Sequence, residues 1–321
     1  MKKVFAITLA FSLISVVSIP AQASTKPGAV CSSLGTTYQD LKCVKSGNKK
    51  IWIVEKFTPW TTKFNLGSMS NASQQNFSAW IKSYKDVGGV EYYNGIQDSS
   101  ILKSYLYSSK AVEAINPEAK VVVANTNESA KQMLDKLGLP YILNNGNVCY
   151  QSPGLIGCNS FQNVAIVITN NNSNQIFNQS VIAHENFHSV QGYLGKLSVY
   201  RQRLIPSWFE EGSAEYFGYM SYANANNVKY LYLRSFGNNG PSITKNLEDY
   251  ATQQSYPYDV GRVAVEYLVA SKGFQAVVDV FADYGNGIDF ETSFEKRFDI
   301  SLKKFYTIFN TTRNSVSGLV N

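Results

Sequence analysis

His184 and His188 are the two histidines of this 321-residue chain, and the four-residue step between them specifies a local backbone. On an α-helix, residues i and i+4 project from nearly one face, about 40° apart at 100° per residue. Both imidazoles can then address a single point. The surrounding sequence supports that helix: Phe177, Val181 and Ile182 precede the segment His184-Glu185-Asn186-Phe187-His188, and Val190 and Leu194 follow it. Apolar residues at these intervals give the stripe by which a helix buries itself.

Two imidazoles on one helix face can both bind one metal ion. Zinc takes such a pair plus one further protein ligand and leaves its fourth position to water, whose pKa falls to about 7 on the ion. Glu185 lies one step round the helix, close enough to take that water's proton without being a ligand. The third ligand cannot be a histidine, because no other exists. The four cysteines are expected in disulfides, which leaves a carboxylate. Downstream runs Pro206-Ser207-Trp208-Phe209-Glu210-Glu211-Gly212-Ser213-Ala214-Glu215-Tyr216-Phe217-Gly218. Pro206 or Ser207 opens a helix there. Glu211 and Glu215 share one face of it, whereas Glu210 points about 100° away from Glu211.

Taken together, HENFH and WFEEGSAEYFG resemble the gluzincin group of metallopeptidases, and more closely its peptidase-MA-like family, whose second motif reads Trp-x-x-Glu-Gly-x-Ala-Glu-Tyr. The resemblance implies one catalytic Zn2+ held by His184, His188 and Glu211, with Glu185 as general base. It implies that Glu215 orients a zinc-bound histidine from behind. The chain departs from the family in placing 22 residues between His188 and Glu211, a few more than usual, so Glu215 remains an alternative third ligand. Residues 192–205 form a loop that can absorb the difference. Tyr258-Asp259-Val260-Gly261 matches the family's Tyr-x-x-Gly helix. By that match Tyr258 donates a hydrogen bond to the oxyanion of the tetrahedral intermediate; a tyrosine packed in the core is the competing reading.

The N-terminus reads as a secretory signal over residues 1–23. Lys2 and Lys3 precede an apolar run from Val4 to Ile19, and Ala21-Gln22-Ala23 gives the small-x-small cleavage pattern before Ser24. The run is short for a membrane span, so no transmembrane segment is expected after cleavage. An oxidising destination suits the cysteines, which are expected to pair as Cys31–Cys43 and Cys149–Cys158; no C-x-x-C spacing favours a metal instead. The expected location is extracellular or in a cell envelope, and the Lys-Lys leader points to a bacterium. A net charge of +6 without a long basic cluster argues against nucleic acid as a partner. The expected partner is a peptide or protein substrate.

Apolar residues make up 44% and aromatics 13% of the chain, enough to build a substantial core. Residues 24–56 read as a small cysteine-containing segment, with a strand at 50–54. The pattern Cys31-Ser-Ser-Leu-Gly, Leu41-Lys-Cys43-Val and Trp52 resembles a short module of secreted actinobacterial proteins; a simple stapled extension fits as well. Residues 57–321 read as one zincin-like metallopeptidase domain of the α+β class. Strands are expected at 120–124 and 164–169, and a helix over 128–137 capped by Asn127 and ended by Gly138. An active-site helix follows near 177–194, then the glutamate helix at 206–222, then a helical C-terminal half over 257–315. Asp283 to Asp289 carries Gly at positions where calcium needs oxygen ligands, and reads as a turn between helices. The function expected is a secreted zinc peptidase, endo- or amino-. Two alternatives remain: a non-enzymatic binding protein on the same fold, and a zinc hydrolase of cell-wall peptides.

Overall fold

The computed structural model describes residues 29–38, 41–46, 48–54, 66–85, 92–94, 99–139, 141, 157–160, 163–169, 174–196, 204–234, 245–252 and 256–316. The signal-peptide reading over residues 1–23, and Cys149 of the second expected disulfide, lie outside them. Cys158 is itself disulfide-bonded.

The chain is a mixture of helix and small sheets, mostly helical. Strands β1 (Thr37–Tyr38), β2 (Leu41–Ser46) and β3 (Lys49–Val54) form an antiparallel sheet. The Cys31–Cys43 disulfide staples the chain before β1 onto β2, and Trp52 sits opposite Cys43 on β3. Closing a loop of this length stabilises by about 2–4 kcal/mol. Ile51 and Ile53 pack against Ala79 of helix α1 (Leu66–Ser83), so this sheet is continuous with the main body.

The second sheet has the order β4-β5-β7-β6, with β4 at Tyr92–Asn94, β5 at Lys120–Ala124, β6 at Gly157–Ser160 and β7 at Val164–Ile168. β4, β5 and β7 run parallel, and β6 closes one end antiparallel to β7. The near-continuous Val, Ala and Ile of β5 and β7 reflect burial on both faces. Alternate residues divide between two layers. Val122, Ala124, Val164, Ile166 and Ile168 meet Ala130 and Leu134 of α3 (Asn127–Leu137). Val121, Val123, Ala165 and Val167 meet Ile101, Leu102, Tyr105 and Ile182 on the other side. Tyr105 belongs to α2 (Lys103–Ile115) and Ile182 to α4 (Gln175–Gly195). The cap of α3 is one residue earlier than expected. Thr126, extended at φ −141°, accepts from the Ser129 amide, while Asn127 is the first helical residue. Gly138 closes the helix at φ +63°, the left-handed conformation that glycine adopts freely.

Beyond α4 lies the larger apolar core, built with α5 (Ser207–Ala225), α6 (Tyr258–Lys272), α7 (Phe274–Gly285), α8 (Phe290–Phe298) and α9 (Leu302–Val316). Phe187 of α4 stacks on Phe217 of α5 at 4.7 Å between centroids. Phe274 contacts both Phe187 and Trp80. A Cβ on Gly212 or Gly261 would run into the other's backbone. These two glycines let α5 and α6 touch, and so bring the first turn of α6 beside the middle of α5. The turn at 286–289 links α7 to α8 as expected: Asp289 caps α8, and Asp283 is held by Arg297 and Ser293.

Candidate metal centre

Helix α4 is capped by Asn174, whose side-chain oxygen accepts from the Phe177 amide, and runs through His184, Glu185 and His188 without interruption. α5 crosses it closely: a Cβ on Gly218 would strike the Ser180 carbonyl and crowd His184 Cβ. A residue with a side chain there would push the helices apart and separate the two halves of the centre.

Three acceptor atoms converge where α4 meets α5. His184 Nε2 and His188 Nε2 are 3.0 Å apart. Glu211 Oε2 lies 3.3 Å from His188 Nε2 and 3.6 Å from His184 Nε2. Among the described residues, His184, His188 and Glu211 form a group that could hold a metal ion. A tetrahedral zinc site with bonds of 2.0–2.2 Å has ligand-to-ligand edges of about 3.3–3.6 Å; the two edges to Glu211 fall in that range, and the 3.0 Å edge between the histidines is shorter than it. Glu215 is not on that triangle. Its Oε2 lies 2.9 Å from the other nitrogen of His184, Nδ1, which distinguishes it from Glu211.

An ionised carboxylate can only accept, so His184 Nδ1 donates to Glu215 and, in the neutral ring, the lone pair is on Nε2. His188 Nδ1 stands 2.6 Å from Gln191 Oε1. Sequence reasoning passed over Gln191, although its position three residues after His188 places it next to that ring on the helix. With both rings neutral and their protons on Nδ1, lone pairs from two imidazoles and a carboxylate would face one another in a buried pocket, a repulsive arrangement unless a cation sits among them.

The protonation tendencies agree. Burial alone would lower the pKa values of His184 and His188, but Glu211 beside both rings, with Glu215 on His184, holds them above the ordinary histidine range. Burial pushes Glu211 up, yet the two imidazoles outweigh it and leave its carboxyl well below the usual range. The pocket therefore selects positive charge, which a proton or a metal ion can supply.

Glu185 is buried on the sheet side of α4. Burial raises its carboxyl above the ordinary range, and the neighbouring imidazoles reduce that shift. Gly157, the first residue of β6, lies directly over it: a Cβ there would stand 2.5 Å from Glu185 Oε1. Asn159, two residues along β6, donates to the Glu185 carbonyl at 3.0 Å and to Ser189 Oγ at 2.8 Å. β6 is thereby tied to α4 at Glu185. Neither glycine nor asparagine was readable as a site residue from sequence, since their contacts depend on the β6 register.

Tyr258 opens α6 after Pro257, and its ring centroid is 6.1 Å from that of His184. Burial and the nearby carboxylates of Glu211, Glu185 and Glu215 raise its pKa, so it stays a hydroxyl and a donor. The structure thus brings His184, Glu185, His188, Glu211, Glu215 and Tyr258 to one place. No protein-family model, curated protein or solved structure matches this chain.

Proposed function

We propose that this chain is a zinc-dependent peptidase of zincin-like fold, working outside the cell or in its envelope. The observation that carries the reading is the convergence of His184 Nε2, His188 Nε2 and Glu211 Oε2 on one buried point, with Glu185 alongside. Two imidazoles and one carboxylate are a donor set suited to zinc with an open position. The Cys31–Cys43 disulfide fits an oxidising compartment, and no described helix is long and apolar enough to cross a membrane.

His184, His188 and Glu211 would hold the ion, which when bound supplies a Lewis acid for the scissile carbonyl and lowers the pKa of a water to about 7. Glu185 takes the proton of the attacking water and passes it to the leaving amine. Its raised pKa favours both halves of that transfer, because a carboxylate too acidic would not hold the proton. Tyr258, kept protonated by its surroundings, offers its hydroxyl to the developing oxyanion. Among the described residues β6 is the terminal strand of its sheet, the position at which an extended peptide would add by backbone pairing. Gly157 then brings that peptide past Glu185 without a side chain between them.

The test is Glu185→Gln, assayed for zinc content and for hydrolysis of a denatured protein. The amide keeps the shape but cannot accept the proton. Zinc per chain should be unchanged, while hydrolysis should fall by at least about 100-fold. Turnover equal to that of the native chain would remove Glu185 from the mechanism and the peptidase reading with it.

A further inference from the structure

Gln191 is fully enclosed, at 1% exposure, and lies between the two helices that carry the metal-binding residues. Its side-chain oxygen and nitrogen look alike by shape, so its orientation has to be read from its neighbours. Gln191 Nε2 is 2.8 Å from the Glu210 carbonyl and 2.9 Å from Ser213 Oγ. A backbone carbonyl only accepts. Ser213 Oγ already donates to that same carbonyl at 3.0 Å, so it presents a lone pair to Gln191. Both neighbours therefore demand the NH2 end. The oxygen end is left facing His188 Nδ1 at 2.6 Å, where it can only accept.

We propose that Gln191 is a positioning residue that sets the tautomer of His188 and couples it to the backbone carrying Glu211. The chain of bonds runs from the Glu210 carbonyl on α5, through the Gln191 amide, to the Nδ1–H of His188 on α4. With one proton held at Nδ1, the proton that leaves as the ring becomes neutral is the one on Nε2, whose lone pair then points at the metal position. Because residue 210 immediately precedes Glu211, the same amide fixes the spacing between His188 and Glu211. His184 and His188 are thus held differently, one by the charged carboxylate of Glu215 and one by a neutral amide. An amide anchors the ring without adding negative charge, so the pocket carries one carboxylate less than a symmetric arrangement would.

This inference rests on the metal-centre reading above. Its test uses the full chain with 15N-labelled histidine. With two histidines in the protein, the spectrum of the metal-free form contains two imidazoles, which His188→Ala assigns. At a pH where both rings are neutral, His188 should be the Nδ1–H tautomer, not the Nε2–H form favoured by an unconstrained imidazole. Gln191→Met keeps the side-chain length and apolar packing but removes the acceptor. It should release His188 from the Nδ1–H form and weaken zinc binding by about 10–100-fold, read by competition with a chelator.

An Nε2–H tautomer in the native chain overturns the proposal, and so does native zinc affinity in Gln191→Met. The tautomer in the native chain decides the matter even if Gln191→Met folds poorly. Failure of the underlying reading looks different: there, His188→Ala would bind zinc as tightly as the native chain. Loss of zinc in His188→Ala with native affinity in Gln191→Met would overturn the role of Gln191 alone.

Discussion

Gly157→Ala isolates the position of Glu185 from every other property of the centre. The added methyl would stand 2.5 Å from Glu185 Oε1, 2.6 Å from Cγ and 2.9 Å from Cδ, where ordinary contact begins at 3.4 Å. One partner has to retreat by about 0.9 Å. The strand cannot easily do so, since Gly157 is paired with Val167 of β7 and Asn159 is bonded to α4. Gly157 does not have a left-handed φ, so the backbone accepts alanine and Glu185 moves instead. An off-rotamer glutamate costs about 0.5–1.5 kcal/mol, so stability should change little. A displacement near 1 Å at a reacting group costs about 100-fold in rate, equivalent to about 2.7 kcal/mol of barrier. Zinc content should stay at the native level, because no ligand is touched. The assay is kcat/KM on a quenched-fluorescence peptide, with zinc content and Tm measured on the same preparations. An alanine variant with native zinc and a rate within threefold of the native chain would refute the placement of the general base under β6.

Other perturbations address separate parts of the account. Glu215→Ala removes the acceptor from His184 Nδ1 and should weaken zinc binding by about 10–100-fold in chelator competition; unchanged affinity would leave Glu215 without a role in holding the ring. The two imidazoles of the metal-free chain have folded pKa values raised above the unfolded value. Their stabilisation is therefore fully present below about pH 6.5 and is lost as pH rises through the folded pKa values. The Tm of the metal-free chain should fall over that upper range, and zinc should bind more tightly there as protons cease to compete; a Tm that rises across the same window would contradict the assigned surroundings. Replacing Cys31 and Cys43 by serine should cost about 2–4 kcal/mol, appearing as faster amide exchange in β2 and β3. Zinc content should be unaffected, because the sheet packs against α1 and the far end of α6, where a Cβ on Gly273 would come into contact with Ile53.

Much of the centre was legible in the sequence because a helix converts sequence interval into direction. His184, His188, Glu211 and Glu215 each lie on a helix with a partner four residues away, so the face they share follows from 3.6 residues per turn. The choice between Glu211 and Glu215 did not follow, because both lie on that face. It depends on the depth at which α5 crosses α4, which Gly218 sets by its contact with Ser180. β5 and β7 were recognisable from their unbroken apolar runs. Gly157 and Asn159 were not recognisable as site residues, since their importance comes from the register of a four-residue strand against β7 and its distance from α4. Gln191 was overlooked for a related reason: a buried amide shows its purpose only when both of its neighbours are known. The cap of α3 shifted from Asn127 to Thr126 because Ser129 completes a reciprocal pair with the threonine.

The central claim is that His184, His188 and Glu211 hold one zinc ion, and elemental analysis of the protein purified without added metal tests it most directly. The native chain should contain close to one zinc per molecule, and His188→Ala should contain almost none. A native chain without zinc that also fails to take it up from solution would contradict the account.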